Sequence, residues 1–156
     1  MGRDWFFRDE TGICNFRVAG LLLRGDKILL QRERGGNEYA VPGGHVRSDE
    51  TSAQSLVREY MEETGAEIVC ERLIWVEEAF WKWSDANAST LTFYYLVRLA
   101  DKADISDDYS GAQRDNDDVV IEWIRICDLK KLTVYPSFLV EKIENISNSI
   151  EHFISS

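Results

Sequence analysis

The stretch that decides the fold runs from residue 44 to residue 66 and reads GHVRSDETSAQSLVREYMEETGA. It predicts a helix over residues 52–64, because Thr51 and Gln54 have the spacing of a capping box and Gly65 suits a left-handed C-terminal cap. Five residues recur at helical spacing and should form one inward stripe: Ala53, Leu56, Val57, Tyr60 and Thr64. The segment therefore predicts one well-bounded helix with a single buried face.

Three acidic residues of this helix, Glu59, Glu62 and Glu63, occupy positions i, i+3 and i+4, so their carboxylates share one face. At 100° per residue, that face lies roughly a third of a turn from the apolar stripe, at the rim of the core. Glu62 and Glu63 also lie in the last turn, where the helix dipole disfavours anions. A hard divalent cation would suit this cluster. A solvated acidic face is the competing interpretation, since each exposed like-charge pair costs only about 0.2–0.5 kcal/mol.

The same segment resembles the Nudix box, G-x5-E-x7-R-E-U-x-E-E-x-G-U, in which U is usually a bulky aliphatic residue. All seven fixed positions are filled, by Gly44, Glu50, Arg58, Glu59, Glu62, Glu63 and Gly65. Tyr60 and Ala66 depart from the pattern at U positions, and we interpret Tyr60 as a packing variant because it belongs to the inward stripe. The resemblance implies a Nudix-like α/β/α sandwich with a mixed central sheet, within the α/β (α+β) class.

The resemblance also implies an activity, which is hydrolysis of a diphosphate linkage in a small nucleoside diphosphate-type substrate by attack of water on phosphorus. By similarity, the enzyme would use Mg²⁺ or Mn²⁺, held by the carbonyl of Gly44 and the carboxylates of Glu59, Glu62 and Glu63. A catalytically silent Nudix-fold module that senses a nucleotide is the main alternative. A Nudix-fold enzyme of another class, such as a diphosphate isomerase, is a third interpretation.

Two supporting roles follow from the same resemblance. Arg58 is expected to pair with Glu50 and fix the loop against the helix, although a free surface ion pair is the alternative. The catalytic base is assigned to Glu59 or Glu62. Four acids outside the box are further candidates for the base: Glu78, Asp117, Asp118 and Glu122.

Substrate contacts are weakly specified by the sequence. Arg17, Arg32 and Arg34 lie on or beside the first two predicted strands and are candidates for phosphate contacts, with surface charge as the alternative. The remaining candidates for substrate binding are Tyr39, His45, Glu78, Phe80 and Glu122. Tyr39 and the aromatic residues of the 80–83 segment can stack on a base, although alternating aromatics in a strand more often belong to a core. No proline lies between Pro42 and Pro136, so the proline of the ADP-ribose group is missing, and nucleoside triphosphates and sugar nucleotides both stay open.

The rest of the chain reads mainly as strands. Gly25-Asp26 has the order of a type II′ hairpin turn. Apolar and β-branched patterns predict strands at 15–24, 27–33, 67–81, 90–100 and 119–126. Residues 101–118 are polar and acidic, which indicates a functional lid or local disorder. Pro136 is expected to open a last helix, whose apolar seam would be Leu139, Ile143, Ile146, Ile150 and Phe153.

The bulk composition limits the class of protein. The length of 156 residues fits one domain, assigned as 1–156, and the net charge of −10 argues against a nucleic-acid polymer as partner. No apolar run approaches the ~18 residues of a membrane span, and the amino terminus has no signal-peptide pattern. The three cysteines are predicted to be free, buried thiols in a reducing compartment, which favours the cytoplasm. The expected assembly is a monomer or homodimer.

Overall fold

The computed structural model describes residues 1–156 and contains a large mixed sheet with few helices. The helices are α1 (Ser52–Thr64), α2 (Leu139–Lys142) and one 3-10 helix (Ile126–Lys131). The strands are β1 (Phe6–Asp9), β2 (Gly12–Arg24), β3 (Lys27–Glu33), β4 (Glu38–Ala40), β5 (Gly43–His45), β6 (Ile68–Trp83), β7 (Ala86–Leu99), β8 (Ser110–Ala112), β9 (Val119–Arg125), β10 (Thr133–Tyr135) and β11 (Glu151–Ser155).

The strands pair in the order β10-β4-β3-β2-β7-β6-β11, with β1 and β5 joined to β2, and β9 joined to β3 and β8. The long hairpin β6–β7 and the pair β2–β3 are antiparallel, whereas β2–β7, β6–β11 and β4–β10 are parallel. Both directions occur along one path, so the predicted mixed central sheet is confirmed. The parallel neighbours β2 and β7 require a long crossover, and α1 lies within it.

The core has two parts, one on each side of the sheet. On one side α1 buries Leu56 and Tyr60 completely against Val18 of β2 and Val97 of β7. On the other side the second core cluster contains Trp75, Leu129 of the 3-10 helix and Leu139 of α2. Helices therefore cover both faces, as the predicted α/β/α sandwich requires.

The helix α1 has the ends that the sequence predicts. The Thr51 hydroxyl accepts a hydrogen bond from the Gln54 N–H at 3.2 Å, and the Gln54 side chain accepts one from the Thr51 N–H at 2.9 Å. Gly65 closes the helix with a left-handed φ of 75°. The close fit of α1 to the sheet depends on Gly20, where a Cβ would lie 3.0 Å from Leu56 and 3.1 Å from Tyr60.

The predicted long last helix is wrong. Only Leu139–Lys142 is α-helical, and the chain then returns as β11, which pairs in parallel with β6. Leu139 and Ile143 are buried as expected, but Ile150 is 57% exposed. Phe153 reaches the core from a strand, stacked on Phe138 at 3.8 Å. The open edge of β6 supplies backbone hydrogen bonds that outweigh the helical spacing of the apolar residues.

The acidic segment 101–118 is folded onto the protein, so the interpretation as local disorder is wrong. Arg24 forms ion pairs with Asp104 at 3.2 Å and Asp107 at 2.8 Å, and its guanidinium lies 4.9 Å from the Trp123 ring centre. Ile105 is buried, and the short strand β8 pairs with β9. A single arginine thus ties two of the segment's carboxylates to the sheet.

The cysteine prediction holds in one respect and fails in another. All three cysteines are free, as expected, but Cys14 and Cys127 are exposed and only Cys70 is half-buried. Cys14 lies where β2 is flanked by the exposed strand β1, and Cys127 lies in the 3-10 helix at the surface. Neither helix type in the structure is long and apolar enough to cross a membrane.

The fully buried side chain of Leu56 gives a direct test of the α1–sheet contact. We expect Leu56→Ala to lower the free energy of unfolding by about 2–5 kcal/mol, because it opens a cavity in a packed core. Met61→Ala is the matched control on the exposed side of the same helix, with an expected change within about 0.5 kcal/mol. Urea denaturation measures both, and equal losses would contradict this packing.

Candidate active site

The loop before α1 is held to the sheet by the short strand β5. Gly44 pairs with Val18 and His45 pairs with Arg17 in antiparallel register with β2. At Gly44 a Cβ would collide with the Glu59 carboxyl group, and its calculated position lies 2.5 Å from Oε1. Only glycine therefore lets the backbone at residue 44 lie directly against this carboxylate, which brings a strand and a helix together at one point.

Arg58 fastens this loop to the helix. Its Nε lies 3.0 Å from Glu50 Oε1, so the expected ion pair is present, and its Nη1 lies 2.8 Å from Glu59 and 3.4 Å from Glu62. Glu50 also accepts a hydrogen bond from the Ser55 hydroxyl at 2.6 Å. The hydrogen bond from Arg58 lowers the pKa of Glu50 below its ordinary value. Glu50 thus stays ionised and binds the guanidinium that also contacts Glu59 and Glu62.

Glu63 is the carboxyl group of the helix with the least compensation from neighbouring groups. Its residue is 5% exposed, and its Oε2 is buried with no hydrogen-bond partner. Burial, together with the charges of Glu59 and Asp115, raises the pKa of Glu63 to about 9. Burial also raises the pKa of Glu59. A buried acceptor without a donor or counter-ion is costly, so these carboxylates are suited to receive a cation.

The donor atoms near α1 are all oxygens, which hard divalent cations prefer. They are the carboxylates of Glu59, Glu62 and Glu63 together with the backbone at Gly44. In the structure no group of three acidic, histidine or cysteine side chains converges to hold an ion. The reason is visible at Arg58, whose guanidinium draws Glu59 and Glu62 toward itself. Ligation would require the Glu59 and Glu62 side chains to exchange this contact for an ion.

A cleft of about 640 Å³ opens on the face of the sheet opposite α1, and Arg17, Glu77, Tyr94 and Tyr135 are among its lining residues. Arg17 pairs with Thr92 across β2–β7, and Thr92 pairs with Glu77 across β7–β6. The charge of Arg17 also lowers the pKa of Glu59 and of Glu63, against the larger effect of burial. Arg17 therefore connects the box carboxylates with the cleft.

His45 lies beside Arg17 in the next strand and is half-buried. Burial lowers its pKa, the charge of Arg17 lowers it further, and Asp4 acts in the opposite direction. The His45 ring contacts Phe6 edge to face at 5.6 Å between centres. The imidazole is therefore neutral near pH 7 and offers a hydrogen-bonding group next to the Arg17 guanidinium.

Three of the candidate substrate residues form a cluster of their own. Arg32 Nε lies 3.0 Å from Glu122 Oε1, and the Ser110 hydroxyl donates to Glu122 Oε2 at 3.0 Å. Tyr39 belongs to the same cluster, since burial and the nearby Glu122 raise its pKa. Arg32 and Tyr39 line a neighbouring groove of about 520 Å³. The two charges thus compensate each other and are less available to a phosphate than Arg17.

Arg34 and the acids at 117–118 are also engaged with one another. The Arg34 side chain donates two hydrogen bonds to the carbonyl of Asp117, at 3.0 and 2.8 Å. The backbone N–H of Arg34 donates to the carbonyl of Asp118 at 2.7 Å. These contacts fasten the 115–118 turn to the end of β3, and none of the three residues lines the 640 Å³ cleft.

Sequence reasoning selected Glu78 on β6 and missed Glu77. Glu78 is exposed and lies 2.6 Å from His152 Nε2 of β11, whereas Glu77 is buried and lines the cleft. Phe80 lies half-exposed at the border of the cleft. A signal for Glu77 was present, because residues 75, 77, 79 and 81 alternate as Trp-Glu-Ala-Trp on one face of a strand. An acidic residue on the same strand face as a buried tryptophan is expected to be buried rather than solvated.

The box carboxylates, the glycine of β5 that lies against Glu59 and the cleft lined by Arg17 together form one candidate site. The sequence model of the NUDIX domain family matches residues 15–143. The chain therefore belongs to the Nudix family and is a hydrolase of phosphorus anhydrides, which confirms the resemblance of the 44–66 segment.

Known proteins support this assignment at the level of family and fold. The chain is 29% identical over 123 residues to the uncharacterized Nudix hydrolase YvcI of Bacillus subtilis (strain 168), covering 77% of this chain and 72% of that protein. A MutT protein from Bacillus halodurans superposes with a TM-score of 0.65 at 15% identity, covering 89% and 88% of the two chains. An ADP-ribose pyrophosphatase from Streptococcus suis 89-1591 gives 0.57 at 19% identity, covering 89% and 97%. These structures share the predicted fold class.

The raised pKa of Glu63 predicts a pH-dependent stability for the metal-free protein. The pKa of Glu63 in the folded protein, about 9, exceeds its ordinary value of 4.5. The contribution of Glu63 to the free energy of unfolding is therefore fully present below pH 4.5 and is lost as the pH rises toward 9. In EDTA at pH 8, Glu63→Gln should therefore raise the melting temperature by at least about 4 °C, since 1 kcal/mol corresponds to about 2–4 °C at this size.

The same comparison at pH 5 should give a much smaller difference between Glu63→Gln and the parent protein, because pH 5 is close to the ordinary pKa of 4.5, so protonating Glu63 on folding costs little there. Glu67→Gln, an exposed position just after the α1 cap, is the control and should change neither value. Equal melting differences at pH 5 and pH 8 would contradict the assigned burial of an ionisable Glu63.

Proposed function

We propose that this protein hydrolyses the diphosphate linkage of a small nucleoside diphosphate-type substrate, with Mg²⁺ or Mn²⁺ as cofactor and water as the attacking group. The observation that carries the proposal is the buried, unpartnered Glu63 Oε2 near Glu59, whose carboxylate lies against Gly44. No protein group donates a hydrogen bond to this buried acceptor. A bound cation would account for it. The intact set of box carboxylates favours this enzyme over a catalytically silent sensing module.

The metal would be held by the carboxylates of Glu59, Glu62 and Glu63 and by the carbonyl of Gly44. When bound, a divalent ion screens phosphate oxygens and lowers the pKa of water. Arg58 holds Glu50 and the box loop in place throughout, because its Nε contact with Glu50 is independent of the contacts to Glu59 and Glu62. We assign it a positioning role.

The catalytic base is assigned to Glu59 or Glu62, and the two offer different advantages. Glu59 is mostly buried with a raised pKa, which makes it a better proton acceptor near neutral pH. The Glu62 side chain is 42% exposed and so more accessible to water and substrate. Glu78 and Glu122 are weaker candidates, because each is already bonded to another side chain.

Arg17 is the cation best suited to bind the substrate phosphates. It is not part of an ion pair, lies next to His45, and acts electrostatically on both Glu59 and Glu63. The adjoining cleft of about 640 Å³ falls within the roughly 300–1,000 Å³ of small-molecule sites. A small nucleotide fits this size, and the net charge of −10 disfavours a nucleic-acid polymer. A cytoplasmic location, where such nucleotides occur, is part of the proposal.

Turnover should depend on the box carboxylates. We expect Glu59→Gln and Glu62→Gln each to lower kcat by at least ~10²-fold, because each removes either the base or a ligand oxygen. The assay follows released phosphate and pyrophosphate from nucleoside triphosphates and sugar nucleotides with Mg²⁺ or Mn²⁺. Glu67→Gln should retain full activity. Unchanged turnover in both box variants would refute the assignment of these carboxylates. If the parent protein hydrolysed none of the nucleotides, the catalytically silent sensing module would be the better interpretation.

Metal binding can be measured without turnover. We expect Mn²⁺ titration, followed by the electron paramagnetic resonance signal of free Mn²⁺, to show binding that Glu63→Gln weakens at least ~10-fold, since one charged ligand oxygen is lost. Glu67→Gln should bind Mn²⁺ like the parent protein. If no ion binds, even with a nucleotide present, the proposed mechanism fails at its first step.

A further inference from the structure

Glu77 is a second buried carboxylate, and the proposed chemistry does not use it. The residue is 6% exposed and lines the 640 Å³ cleft. Its Oε1 accepts a hydrogen bond from the Tyr94 hydroxyl at 2.9 Å, and its Oε2 accepts one from the Ser155 hydroxyl at 2.7 Å. Both donors are neutral, so no cationic side chain compensates this carboxylate.

The two hydroxyls fix the carboxylate without exhausting it. An ionised carboxylate offers about four acceptor sites on two oxygens, and each oxygen here has one donor. A buried charge is stable only when it is well paired, so the remaining sites favour further N–H or O–H donors. Because Glu77 lines the cleft, a bound ligand is the source that can supply them.

The position of Glu77 relative to Arg17 suggests which part of a ligand it meets. Arg17, Thr92 and Glu77 lie in register across β2, β7 and β6, so two strand spacings, about 10 Å, separate the first from the last. Arg17 marks the phosphate end because it pairs with His45, the residue after Gly44, and Gly44 lies against the Glu59 carboxylate. Glu77 therefore lies at the other end of the cleft, where the base of a nucleotide would be.

Aromatic side chains near Glu77 suit a planar base. Trp81 follows on the same face of β6, is 43% exposed, and its ring N–H donates to the Thr90 hydroxyl at 3.0 Å. Tyr135 lines the cleft from β10 and is also exposed. Exposed rings beside a buried acceptor offer a base both stacking and an in-plane hydrogen-bond partner.

We propose that Glu77 selects the nucleobase of the substrate, and that it accepts two N–H groups from a base edge with two adjacent donors. Guanine has this edge, formed by its ring N1–H and its 2-amino group. Adenine and cytosine have one amino donor beside a ring nitrogen that accepts hydrogen bonds. This ring acceptor would face a carboxylate oxygen, which is also an acceptor, and no hydrogen bond would form there. This inference rests on the proposed function for its substrate class and names guanine nucleotides as the preferred members.

The first experiment compares kcat/KM of the parent protein for GTP, ITP, ATP and dGTP with Mg²⁺. We expect GTP to exceed ATP by at least ~10²-fold, because a site built for hydrogen bonds rejects ligands that leave it unpaired. ITP, which lacks the 2-amino group, should fall between them. The dGTP value should stay within about threefold of GTP, since the donors are on the base.

Glu77→Gln is the informative variant, because an amide keeps the shape and can still bond Tyr94 and Ser155. An amide offers one acceptor and one donor, which match adenine, so we expect the GTP-to-ATP ratio to fall at least ~10-fold. Glu71→Gln, an exposed position on the same strand, should leave the ratio unchanged. An unchanged ratio in Glu77→Gln would overturn the inference while hydrolysis itself persists.

Binding separates this inference from the hydrolase proposal. Quenching of tryptophan fluorescence by GMP and AMP in EDTA measures affinity with no metal and no turnover. We expect GMP to bind at least ~10-fold more tightly than AMP, and Glu77→Gln to remove this difference. That result without hydrolysis would leave the base selection standing and refute only the activity. If kcat/KM for dGTP were much lower than for GTP, and this difference disappeared in Glu77→Gln, the carboxylate would bind the ribose hydroxyls and the base assignment would be overturned. Equal affinities for GMP and AMP would also overturn it.

Discussion

The contact between Arg58 and its acidic neighbours is the interaction on which the site depends. One planar guanidinium bonds Glu50 of the loop, Glu59 and Glu62 of α1 and the His45 carbonyl of β5. It therefore fixes a strand, a loop and a helix relative to one another. The fork of N–H donors allows this where a point charge would not. Since Gly44 lies against Glu59, a displaced guanidinium would also displace the backbone that meets the carboxylates.

Two buried carboxylates have no counter-ion: Glu63 on α1, and Glu77 in the cleft on the opposite face of the sheet. Each is costly in the isolated protein, and we propose that a ligand supplies what is missing, a cation for Glu63 and N–H donors for Glu77. The sheet separates the two ends of the cleft, because Arg17 and Glu77 are on strands with β7 between them. In the proposed site, the strand register thus sets the distance between Arg17 and Glu77, the two groups that would bind the two parts of a substrate.

Most of what was predictable came from local patterns. The caps of α1 and its buried stripe depend on residues within four positions of each other, so Thr51, Gln54 and Gly65 were sufficient. The hairpin around Gly25 is local in the same way. The last helix failed because β11 depends on an open edge of β6, far away in sequence. Glu78 was chosen over Glu77 because the face of a strand is set by what packs on it.

By itself, the sequence determined the family, the acidic helix and the residues of the box, because these are encoded in short-range spacing that any helix turns into a shared face. Only the tertiary structure decided which charges stay free. Arg32 and Arg34 are occupied by groups about 80–90 positions away, and Arg17 is not. Burial and long-range pairing assign each charge a partner or leave it without one, and neither can be read from neighbours along the chain.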